Sequence, residues 1–189
     1  MEYHPSVLID SCISERKHDI RAILKIAKDP SYQFSSSKKK GDLFENLAKL
    51  LLESPYLYFY KGNKRTKTAE IDLLFKVNKC PGTIFESFSD LLLVECKNWK
   101  AKAKTSDLRV FSSKMSDMHS SVGVFLSKNG VTGEDGEVRD AKGFARDQWR
   151  ASSQVIIIID LEDVDAIIGN RGKGLYQLFE EKFYGAKSV

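Results

Sequence analysis

An acid and a lysine two residues apart, Glu95 and Lys97, close the apolar run Leu91-Leu92-Leu93-Val94. In a strand, side chains two apart share a face, so this pair projects together. Opposite charges at the end of a buried strand carry a desolvation cost that asks for a partner. The sequence offers Asp72, near the start of the apolar segment Ile71-Asp72-Leu73-Leu74-Phe75. Pairing the two strands gathers Asp72, Glu95 and Lys97. Two carboxylates beside one lysine make a hard-cation site with a cationic helper.

The elements that must position these residues are legible from periodicity. Residues 15–28 repeat apolar side chains at helical spacing and stop at Asp29-Pro30. Residues 35–40 read as a polar hinge. A helix follows over 41–53, then a strand over 55–60, a basic turn, and a strand over 69–77. Pro81-Gly82 marks a loop before the strand over 91–99. A helix over 106–118, a strand over 122–126, a helix over 140–151 and a strand over 155–160 come next. Helices over 161–168 and 175–183 close the chain, separated by a Gly-rich turn without the ending of a phosphate-binding loop. This order predicts an α/β fold with a mixed central β-sheet flanked by α-helices. Residues 1–40 read as an N-terminal helical extension packed on a domain of residues 41–189.

The ordered set of Gly41-Asp42-Leu43-Phe44-Glu45 on a helix, Asp72 on a strand, and Glu95-Cys96-Lys97 on the next strand resembles the PD-(D/E)xK nuclease superfamily, in particular its Mrr-like restriction endonuclease branch. The resemblance covers roughly residues 41 to 160. Ile71 stands where the superfamily's proline would be. The resemblance implies a restriction-endonuclease-like core and a metal-dependent endonuclease cutting DNA, with Mg2+ as cofactor and Mn2+ as substitute. It places the protein in prokaryotic defence, restriction or DNA processing. It implies that Asp72 and Glu95 hold the metal, with the backbone carbonyl of Cys96 as a further oxygen. Glu45 would hold a second metal or a metal-bound water. Lys97 would orient or deprotonate the attacking water, its pKa depressed by its surroundings, or stabilise charge in the transition state. Many members cut as homodimers, so DNA and a second copy are the implied partners. The alternatives are a non-catalytic nucleic-acid-binding module of the same fold, and a nuclease acting on RNA or branched DNA.

Bulk charge is mild, with 30 Lys and Arg against 26 Asp and Glu in 189 residues. Its distribution says more. Lysines and arginines flank the motif segments, and Lys64, Arg65, Lys67, Lys100, Lys102, Lys104, Lys142 and Arg146 are the candidate nucleic-acid contacts. Cys12, Cys80 and Cys96 lack metal-ligand spacing and fit a reducing, cytoplasmic setting. No apolar run is long enough to span a bilayer, and no small-molecule cofactor motif is present. Asp42 is expected to sit in the first turn of its helix as a capping acid. Cys96 should face the core, and His4, His18 and His119 read as structural. Trp99 is expected to pack on a neighbouring helix, with base stacking as the alternative.

Overall fold

A computed structural model describes residues 4–65, 70–133, 140–169, 171 and 173–188. The elements run α1 (Pro5–Lys28), α2 (Ser37–Leu52), β1 (Leu57–Arg65), β2 (Glu70–Val77), β3 (Leu91–Lys97), α3 (Thr105–Asp117), β4 (Val122–Ser127), α4 (Ala141–Ser152), β5 (Val155–Asp160), α5 (Leu161–Ile168) and α6 (Leu175–Lys187). One turn of 3-10 helix, Ile84–Ser87, lies between β2 and β3. The five strands form one sheet in the order β1-β2-β3-β4-β5. β1, β2 and β3 pair antiparallel, whereas β3, β4 and β5 pair parallel. This is the expected α/β architecture with a mixed sheet.

Helices cover both faces. Apolar side chains of α1, α2, α5 and α6 pack with Leu73, Phe75, Leu92, Val94, Val124 and Ile157. Leu108, Phe111 and Met115 of α3 and Ala141 and Ala145 of α4 pack with Leu74, Leu93, Phe125 and Ile156 on the other face. The β3-α3-β4 and β4-α4-β5 crossovers advance in one direction across the sheet. Right-handed connections then put α3 and α4 on the same side, as observed. β4, in the middle of the parallel half, is buried along its whole length.

Several boundaries differ from the sequence reading. α1 begins at Pro5, where His4 caps it through its ring nitrogen. Its apolar residues join the main core, so the N-terminal segment packs on the rest. α2 begins at Ser37, so residues 37–40 are helix and not hinge. The Ser36 hydroxyl accepts from the Lys39 N–H and caps the start. Asp42 is therefore beyond the first turn, and the expected boundary at residue 40 falls inside α2. β1 continues through the stretch read as a basic turn. A bulge at Phe59/Lys61 and a left-handed Asn63, φ 48°, carry it to Arg65. β1 is an edge strand, with Phe59 turned to the core and Tyr58 and Tyr60 about half exposed.

Gly123 sets how closely α3 can approach the sheet. A Cβ there would stand 2.7 Å from both the Met115 sulfur and the Phe111 ring. Both side chains are fully buried and have nowhere to retreat. Gly123→Val should destabilise the protein by about 1–3 kcal/mol through overpacking. Thermal unfolding reads this directly, and an unchanged midpoint would contradict the close approach.

Candidate active site at the open end of the sheet

The ends of β1 and β3, the start of β2 and the ends of β4 and β5 all lie at one end of the sheet. In parallel sheets this C-terminal end is where loops converge and ligands bind. The β2–β3 ladder pairs Leu73 with Val94 as its last step towards this end. Beyond it the strands part. The Cys96 N–H then donates to Asp72 Oδ2 at 2.7 Å, so a side chain replaces the missing strand partner. Ile71 and Leu74 both pack with the α3–α4 core, so simple two-residue alternation does not run through Asp72.

Glu95 projects from β3 towards α3 and is 4% exposed. Lys97 Nζ approaches its Oε1 at 2.7 Å, and Lys114 Nζ approaches its Oε2 at 2.7 Å. Lys114 comes from α3 and is itself buried. The sequence reading missed it. Its signal was present: Lys114 lies one turn from Phe111 and beside Met115 on the buried stripe of α3. Periodicity alone does not say whether such an ammonium snorkels outward or finds a buried partner.

The cluster holds two acids and two lysines, yet Asp72 is short of compensation. Burial first, and then the charge of Glu95, push its carboxyl up to about 6, against the Cys96 N–H and the two lysines. Burial works against the charge on Lys97, but the attraction and hydrogen bond of Glu95, with Asp72 behind, win. They hold its pKa above the usual lysine value. The lysines close to it in sequence do not set this direction, because the largest opposing charges near it in the fold are carboxylates. The Cys96 thiol faces the α2 side, 3.7 Å from the Phe44 carbonyl. Burial, then the charges of Asp72, Glu45 and Glu95, push its pKa well up, in keeping with an inert core thiol.

Glu45 has a separate setting. Asn63 Nδ2 donates to its Oε2 at 3.0 Å, which gives the left-handed Asn63 a role the sequence reading did not assign. Burial raises its pKa, and Asp42 and Glu70 add to the rise against Asn63 and Lys49. Lys38, Asp42, Arg65 and Glu70 line the same cleft. Glu70 pairs with Arg65 at 3.9 Å.

Asp72 and Glu95 supply carboxylate oxygens suited to a hard divalent cation, and Asp72 Oδ1 takes no hydrogen bond among the described residues. The crowding that raises Asp72 is what a cation would relieve. Seating one requires Glu95 to exchange an ammonium for it. Among the described residues no three His, Cys, Asp or Glu side chains gather as a metal cage. A magnesium-type site retaining several waters needs only one or two carboxylates.

The remaining candidates spread along the same end. Trp99 is 43% exposed, and the Lys97 ammonium lies 4.9 Å from its ring centroid. Lys64 and Arg65 end β1. Lys104 precedes α3, its backbone N–H donating to Asp107. Lys102, Lys142 and Arg146 line a cleft of about 420 Å³ with Asp160 and Lys182. Lys67 lies outside the described residues.

The raised Asp72 pKa has a direct consequence for stability. The folded protein holds this proton more tightly than the unfolded chain, so stability falls as pH rises from about 4 through about 6. Asp72→Asn removes that cost while keeping an acceptor for the Cys96 N–H. It should stabilise the fold at pH 8 by about 1–3 kcal/mol, with the gain gone near pH 4. Unfolding at both pH values checks this, and a loss of stability at pH 8 would contradict it.

Comparison with protein-family models, with curated proteins and with solved structures finds no match to this chain.

Proposed function

We propose that the protein is a metal-dependent endonuclease with a restriction-endonuclease-like core, hydrolysing phosphodiester bonds in DNA. The observation that carries this is the meeting of Asp72, Glu95 and Lys97 where β2 and β3 part. A buried ion cluster of this kind is rarely the most stable way to fill a core. Its position at an open sheet end, with a strongly perturbed carboxylate, favours a functional origin.

In this reading Asp72 and Glu95, with the Cys96 carbonyl, would hold a magnesium ion. Its chemistry would be charge neutralisation and a lowered water pKa. Lys97 acts as an ammonium and stabilises negative charge on the phosphoryl oxygens. Lys114 holds and orients Glu95. Trp99, beside Lys97, offers an exposed aromatic face to a base. Glu45, held by Asn63, stands by for a second cation or its water.

A specific observation favours a second reading. Both oxygens of Glu95 are already taken by ammonium groups. A non-catalytic nucleic-acid-binding module would keep that lock closed. Manganese titration followed by calorimetry separates the two: the nuclease binds metal and loses the site in Asp72→Asn, whereas the module binds none.

The decisive assay offers plasmid, linear duplex, single-stranded DNA and RNA with magnesium or manganese. Lys97→Ala should lower cleavage by about 100-fold or more, the scale of losing one aimed charge stabiliser. Asp72→Asn combined with Glu95→Gln should abolish it. Cleavage surviving that double change would end the assignment.

A further inference from the structure

A second basic site adjoins this centre. Lys100 follows β3, Lys128 follows β4, and Lys40 lies in the N-terminal part of α2. Two asparagines draw these three segments together. Asn98, 6% exposed, donates from Nδ2 to the Lys40 carbonyl at 3.0 Å. Asn129 Nδ2 donates to the carbonyls of Trp99 and Lys100 at 3.1 and 2.8 Å. The Lys128 N–H donates to the Lys97 carbonyl at 2.9 Å, which fixes it one strand over from the acid cluster.

The charges of Lys40 and Lys100 both act on Lys128: burial first, and then these two, lower its pKa. Among the described residues no acid forms an ion pair with any of the three. Lys100 and Lys128 open on a cleft of about 720 Å³ with Lys28 and Lys102. Asp160, which ends β5 beside Ser127, and Glu162 line the same cleft. Asp160 there spends its Oδ1 on the backbone N–H groups of Glu162 and Asp163. Three lysines on segments tied together by Asn98 and Asn129, none of them ion-paired among the described residues, offer a seat to an external anion.

We infer that Lys40, Lys100 and Lys128 form a seat for a backbone phosphate of duplex DNA, flanking the cluster of Asp72, Glu95 and Lys97. The seat rests on the nuclease reading only for the identity of the polymer. Lys128 lies one strand over from β3, at a strand spacing of about 4.8 Å, so the seat adjoins the cluster. It fixes register along the polymer and carries no base specificity.

The test is binding of a short fluorescent duplex, by anisotropy in chelator across a salt series. Lys40→Gln with Lys128→Gln removes two charges and keeps side-chain length. Lys76→Gln with Lys79→Gln removes two charges at the far end of β2. The seat double variant should bind about tenfold more weakly, with a salt slope smaller by about 1–2, and the control pair should match wild type. Affinity within about twofold of wild type at unchanged slope, or an equal loss in the control pair, overturns the seat. The two proposals fail separately. Weakened binding without any cleavage by wild type with magnesium leaves the seat and removes the nuclease. Cleavage with unweakened binding does the reverse.

Discussion

The pairing of Glu95 with Lys97 and Lys114 is the interaction on which this end of the molecule depends. It joins β3 to α3 across what would otherwise be a continuous apolar layer. Desolvating these groups costs several kcal/mol per ion, and only good geometry offsets it. The geometry in turn requires α3 to lie close against the sheet, which the missing side chain of Gly123 permits. A glycine in the middle of a buried strand thus serves a charge cluster near its end.

The parting of β2 and β3 is the second half of the arrangement. A continuous ladder would have satisfied the Cys96 N–H with backbone and left Asp72 no role. Because the strands diverge after Leu73 and Val94, the carboxylate is drawn in as the acceptor. It is thereby held beside Glu95, where burial and like charge raise its pKa. Charge is concentrated where the regular hydrogen-bond pattern of the sheet ends.

Around this centre the end of the sheet is graded. Towards β1 lies the Glu45–Asn63 cleft, of mixed charge. Towards β4 lie Lys100 and Lys128, braced by Asn98 and Asn129 against α2 and the loop after β3. Towards β5 basic side chains of α4 meet the acids that open α5.

The sequence by itself determined the mixed α/β order of elements and the placing of Asp72, Glu95 and Lys97 on adjoining strands. Those features live in short-range periodicity and in charge set against apolar runs, which neighbouring residues decide. The start of α2 was harder to read because Ser35-Ser36-Ser37 followed by lysines looks like a loop, while a single hydroxyl cap suffices to begin a helix. Only the tertiary structure brought Lys114 to Glu95, Asn63 to Glu45, and Lys128 to Lys40 and Lys100. Their separations in the chain are long, and each pairing depends on how far a helix or strand is carried across the sheet. The direction of the Lys97 shift followed from the same cause. A lysine's proton affinity reports which charges surround it in space, and here the fold surrounds it with carboxylates, not with the lysines next to it in sequence.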